Sequence, residues 1–102
     1  MTTVLDDLND TILADVLLYY AMTRRLPDGR VCGVMKLLFH WTVHIDLTPW
    51  GYEDRYCFRT FADAVHSMES WDGNGDLPGN WHRHPATGRR RDVASGKEWI
   101  EP

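Results

Sequence analysis

Residues 37–47 read LLFHWTVHIDL. Leu37, Phe39, Trp41, Val43, Ile45 and Leu47 alternate with Leu38, His40, Thr42, His44 and Asp46. A period of two belongs to a strand with one face buried and the other in water, as in an antiparallel sheet. The pattern predicts one long half-buried strand over 36–47, with His40, Thr42 and His44 on its solvent face. TPWGY, residues 48–52, reads as a turn, and EDRYCFR, residues 53–59, as a second strand. In that strand Tyr56 and Phe58 share one face and Cys57 takes the other. Upstream, LPDGR at 26–30 is a turn in which Pro27 fixes φ and Gly29 accepts a positive φ. Extended runs on both sides of it would make a hairpin.

Thr60 opens the clearest helix. Thr60 and Asp63 have capping-box spacing, and Phe61, Ala64, Val65, Met68 and Trp71 form a helical stripe ended by Gly73. A second helix starts after Thr3, with Asp6 and Asp7 in its first turn and Val4, Leu5, Leu8, Ile12 and Val16 at helical spacing. Between Val16 and Thr23 strand and helix are equally compatible with the residues. The fold class expected is α+β: a small antiparallel sheet centred on 36–47 and 53–59, a helix over 60–71 packed on one face, and an additional N-terminal helix at about 3–15. The expected core is Leu37, Phe39, Trp41, Val43, Ile45, Tyr56, Phe58, Phe61, Val65, Met68 and Trp71.

The chain has 102 residues, 43% hydrophobic and 25% charged, which fits one soluble domain over 1–102. Within it, 16–71 forms the sheet and helix core, 72–91 a Gly/Pro loop and basic ribbon, and 92–102 a polar tail. No apolar run approaches the roughly 20 residues that span a bilayer, so no membrane association is expected. The acidic start MTTVLDDLND is unlike a signal peptide, and two cysteines are too few for a disulfide scaffold. Both point to the cytoplasm. The net charge is −4, yet residues 1–15 hold only acids and 80–91 only bases. Such polarity either steers a partner onto the basic end or is neutralised within the fold.

Metal and catalytic chemistry find little support. Asp72-Gly73-Asn74-Gly75-Asp76 starts like an EF-hand loop, but the sixth position is Leu77 and the twelfth Arg83. His40 and His44 would stand about 13 Å apart on a strand, too far to share one zinc ion. His82 and His84, about 7 Å apart in an extended segment, could chelate only if another ligand came from elsewhere in the chain. A Cys57–His40 or Cys57–His44 nucleophile pair is conceivable, but a free cysteine more often packs as a small hydrophobe. The sequence therefore predicts no enzyme, no cofactor and no bound metal.

The order "LLFHW", "GYEDRYCF", capped helix, "WDGNGDLPGNW" resembles a family of short, mostly uncharacterised phage and prophage proteins. Its members carry G-Y-x-x-R-Y-C-Y and W-D-G-x-G-D-P-P-G-x-W segments. The resemblance covers about residues 34–85, with Phe58 in place of the usual Tyr and Leu77 in place of the first Pro. It implies a phage setting and a small α+β fold, and it supplies no catalytic residues.

Trp81, His82, Arg83, His84, Arg89, Arg90 and Arg91 are the expected partner-binding residues, because Trp and Arg dominate interface hot spots. Trp71 and Trp81 would anchor a displayed loop between them. The function expected is a small non-enzymatic phage-type binding protein, an anti-CRISPR-like inhibitor of a host defence protein complex. The alternative is a weak single-stranded nucleic-acid binder using the Trp81–Arg91 segment. The sequence leaves the oligomeric state open and allows a homodimer.

Overall fold

The computed structural model describes the backbone of residues 4–101 and side chains from Asp10 onward. The Thr3 cap, and the side chains of Val4, Leu5, Asp6, Asp7 and Leu8, lie outside the described residues. In chain order the elements are α1 (Val4–Leu17), β1 (Met22–Arg25), β2 (Val31–Leu37), β3 (His40–Ile45), β4 (Asp54–Phe58), α2 (Phe61–Ser70), β5 (Arg83–His84), β6 (Arg89–Arg91) and β7 (Glu98–Ile100). The seven strands form one antiparallel sheet in sequence order, β1 to β7. The fold is α+β, as expected, but the sheet is larger than the sequence suggested. The polar tail contributes its last strand, β7.

Each turn has a local cause. Leu26 N–H donates to the Arg30 carbonyl at 2.7 Å, and Gly29 takes φ of 94°, closing the β1–β2 hairpin. His84 pairs with Arg89 around the PATG turn. The Asp92 and Lys97 backbones pair at 2.9 Å to return β7 onto β6. Thr60 caps α2 by accepting from the Asp63 N–H at 3.1 Å. At the other end of α2, Arg24 donates to the Met68 and Trp71 carbonyls at 2.5 and 2.7 Å. A cation there satisfies orphan carbonyls and complements the helix dipole.

The long strand expected over 36–47 is two strands. Leu37 pairs with His40, and Leu38 and Phe39 form a two-residue turn between β2 and β3. Leu38 is 88% and Phe39 91% exposed, so Phe39 leaves the expected core. The break also shifts the pairing. Cross-strand partners share a face, so Leu37 lies with His40, Thr42 and His44 rather than with Trp41, Val43 and Ile45.

The core cluster holds Cys32, Val34, Val43, Ile45, Tyr56 and Phe58 from the sheet, Ala64 and Met68 from α2, and Trp71, Leu77 and Trp81 beyond it. Trp41 and Val65 are partly buried against it, whereas Phe61 sits at the surface. Each large apolar side chain buried this way contributes about 1.5–3 kcal/mol of transfer free energy. Residues 72–81 form a loop pinned to this core by the buried Trp71, Leu77 and Trp81, while Asp72, Asn74, Gly75, Asp76, Pro78, Gly79 and Asn80 are exposed. Leu77 is buried, Trp71 Nε1 donates to the Asn74 carbonyl at 3.2 Å, and Ser67 Oγ donates to the Pro78 carbonyl at 2.5 Å. Asp72 accepts from the Asn74 N–H at 2.9 Å, and Asp76 accepts from the Tyr56 hydroxyl at 2.8 Å. Those carboxylates are engaged in the fold.

Thr42 and His44 are buried, not solvent-facing. The Tyr20 hydroxyl and His44 Nδ1 lie 2.6 Å apart, Tyr52 stacks on the imidazole at 3.9 Å, and Thr42 Oγ1 donates to the Met35 carbonyl. Gly33 makes room for this cap, since a Cβ there would stand 2.5 Å from the Tyr20 ring. Burial, and then the positive charge of Arg55, holds the His44 pKa down at about 4.

Candidate functional site

The seven residues expected to bind a partner divide into two sets. Trp81 is 1% exposed, its Nε1 donates to the Leu77 carbonyl at 3.0 Å, and its ring carries the guanidinium of Arg91 at 4.2 Å. Arg91 further donates from Nε to the Trp81 carbonyl at 3.0 Å and from its terminal nitrogen to the Gly79 carbonyl. Arg89 donates to both oxygens of Asp76 and both of Glu98, at 2.8–3.1 Å. His84 is buried, stacked on Tyr56 at 4.3 Å, with Nε2 2.7 Å from Asp54 and Nδ1 2.9 Å from the Thr87 hydroxyl. These four side chains brace the framework. Trp81 and His84 are buried, whereas Arg89 and Arg91 are half-buried and bonded within the fold.

Among the described residues, Arg89 pairs with Asp76 and Glu98, and Arg90 with Glu101.

Arg83, Arg90 and His82 are placed differently. Strand register aligns Met35, Thr42, Cys57, Arg83, Arg90 and Trp99 in one row across the sheet. Among the described residues Arg83 and Arg90 share one counter-ion, Glu101, at 3.7 and 2.8 Å. Their Nε atoms are buried and have no hydrogen-bond partner. His82 stands edge-on to His40 with ring centroids 5.8 Å apart, and its Nδ1 is likewise buried and unpaired. Burial, followed by His40 and Arg59, brings the His82 pKa to about 4.

Arg83 opens onto a groove of about 330 Å³ that the sequence did not single out. Its floor includes Cys57, and Leu37, Leu38 and Phe39 line it beside His40. Arg55 and Arg83 complete the lining. Among the described residues no carboxylate or carbonyl pairs with the Arg55 guanidinium, and the side chain stays half-buried. Burial, then Arg55 and Arg83, lowers the His40 pKa, so its ring is neutral near pH 7. Burial raises the Cys57 pKa despite the three arginines near it. Among the described residues no hydrogen bond joins the Cys57 thiol to His40 or His44, the contact through which an imidazole would activate it.

The groove can therefore bind an anion beside an apolar group. Arg55, Leu38 and Phe39 are the residues that reading along the chain missed. Leu38 and Phe39 carried no turn signal, because the alternation runs through them unbroken and only strand pairing reveals the turn. Arg55 carried no local signal, because only strand pairing brings it to Arg83.

Among the described residues, no group of three or more His, Cys, Asp and Glu is arranged to hold a metal ion. No described helix is long and apolar enough to cross a membrane. No protein-family model, no curated protein and no solved structure matches the chain.

Proposed function

We propose that this chain is a non-enzymatic binding protein that docks onto an acidic patch of a protein partner through the Leu38–Phe39 tip and the Arg55–Arg83 groove. One observation carries the reading. Two large apolar side chains, 88% and 91% exposed, occupy a two-residue hairpin turn. Such turns favour Asn-Gly and similar pairs. Neither Leu38 nor Phe39 takes a positive φ, so the tip gains nothing from its residue types as a turn. Natural sequences break local rules in this way mainly at functional sites. In this reading α2 covers the opposite face of the sheet and leaves the groove face free.

The resemblance of residues 34–85 to phage and prophage proteins supplies the setting: a host protein complex in the bacterial cytoplasm, inhibited in the manner of an anti-CRISPR factor. The test is affinity capture from infected host lysate, with nuclease present. Leu38→Ser/Phe39→Ser protein should fold with an unchanged thermal midpoint and lose the partner that wild type captures. A captured complex retained equally by this variant removes the tip from the binding surface.

A second reading has its own observation. Phe39 and the half-exposed Trp99 flank Arg55, Arg83 and Arg90, an arrangement suited to stacking bases over a phosphate track. Trp99, not the buried Trp81, would then be the stacking residue. Quenching of Trp99 fluorescence by single-stranded oligonucleotides, abolished by Trp99→Leu, would favour it.

A further inference from the structure

We infer that the groove is a carboxylate pocket: Arg55 and Arg83 clamp one Asp or Glu side chain of the partner while the partner's neighbouring apolar side chain packs on Leu38 and Phe39. This rests on the protein-binding reading and adds the chemistry of its central contact.

Three features of the groove converge on an anion. Arg55 has no intramolecular partner among the described residues, although it is only half exposed. Arg83 reaches Glu101 only at 3.7 Å, and it shares that carboxylate with Arg90, which lies closer at 2.8 Å. Its Nε is buried with its hydrogen aimed at no acceptor. A buried unsatisfied donor is costly, and more so on a charged group. The surplus of positive charge is relieved by one carboxylate held by the terminal nitrogens of Arg55 and the part-exposed Arg83, a group that arginine forks grip bidentately. Neutral His40 adds a ring that can donate one hydrogen bond without further charge.

The same features select among anions. A nucleic-acid strand presents a phosphate at every residue and needs an uninterrupted cationic track. Here Glu101 interrupts the row, held between Arg83 and Arg90. The wall beside the arginines is aliphatic and aromatic, Leu37, Leu38 and Phe39. That combination suits an acidic side chain next to an apolar one on a protein surface. A volume of about 330 Å³ is at the small end for ligand sites and fits side chains rather than a large ligand.

The experiment is an NMR titration of the full chain with acetyl-Leu-Glu-Phe-amide. Matched arms use acetyl-Leu-Gln-Phe-amide, inorganic phosphate and an oligothymidylate. The Glu peptide should shift the Arg83 Nε–H and Leu38 methyl resonances saturably, and the Gln peptide should bind about tenfold more weakly. Arg55→Gln should remove that difference with an unchanged thermal midpoint, and Arg55→Lys should restore part of it, since it keeps charge but not the fork. Equal binding of the Glu and Gln peptides, or no shift at these resonances, overturns the carboxylate pocket. Tighter binding of the oligothymidylate than of the Glu peptide also overturns it. The two readings fail separately. If the tip variant loses the host partner while Arg55→Gln keeps it in full, the docking surface stands and the carboxylate pocket falls. If the tip variant keeps the partner, the docking surface itself falls.

Discussion

Arg91 and Arg55 lie on the same sheet, yet substitution should affect them in opposite ways. Arg91 bonds two carbonyls of the 79–81 segment and lies over the buried Trp81 ring. A charged hydrogen bond and a cation–π contact are each worth on the order of 1 kcal/mol. Arg91→Ala should therefore lower stability by about 1–2 kcal/mol, read as a shift in urea midpoint at constant slope. Arg55→Gln removes a side chain with no such bonds and should stay within about 0.5 kcal/mol of wild type. A neutral Arg91→Ala would show that the ribbon does not depend on this clamp. Cys57 provides a second check at this scale. It is buried at the groove floor, and burial raises its pKa. Its reaction with a thiol reagent should be slow in the native protein and become fast only on unfolding. Fast native labelling would mean an open, activated thiol and would revive a catalytic reading.

At the scale of elements, the β2–β3 hairpin separates folding from binding. Leu38→Asn/Phe39→Gly installs a pair favoured in two-residue turns and removes two exposed apolar side chains. The thermal midpoint should hold or rise while partner binding is lost. A fall in the midpoint would mean that Leu38 and Phe39 support the fold. The same hairpin shows where sequence reading stops. The turn at 26–30, the Thr60 cap and the PATG turn were legible because Pro, Gly and Thr act on their own backbone. The turn at 38–39 holds none of these residues, so the alternation ran straight through it. That concealed the shift that puts Leu37 beside His40 and turns Thr42 and His44 inward. Strands β5, β6 and β7 are two or three residues long, too short for any alternation to register. Their arginines read as a displayed cluster because their acidic partners, Asp76, Glu98 and Glu101, come from other segments. Of the candidate site, Arg83 was named from sequence and Arg55 was not, since their proximity exists only through β4–β5 pairing.

For the whole molecule, charge and protonation set the conditions under which it works. The chain is net negative, but the groove face carries Arg55, Arg83 and Arg90. Association with an acidic partner should slow as ionic strength rises from about 0.05 to about 0.5 M, because screening shortens the reach of that face. Stability should depend on pH through two histidines. His44 and His82 titrate at about 4 in the folded protein, mainly because burial disfavours their charged forms. In the unfolded chain they titrate near 6.5. Between those values the unfolded state binds more protons, so folding stability rises with pH across the window. It is complete above about 6.5 and is lost as pH falls toward 4. Asp76 and Glu101 contribute at lower pH. Arg90 holds Glu101 below the usual carboxylate range, and the Tyr56 hydroxyl and Arg89 do so for Asp76 against the opposing effect of burial. Urea midpoints measured from pH 7.5 down to about 4.5 should fall steadily, before carboxylate protonation dominates. His44→Gln/His82→Gln should flatten that slope even if it lowers the midpoint at neutral pH. A wild-type midpoint that stays level through this range would mean that both rings accept protons in the folded state, and that the Tyr20–His44–Tyr52 cap is open to water.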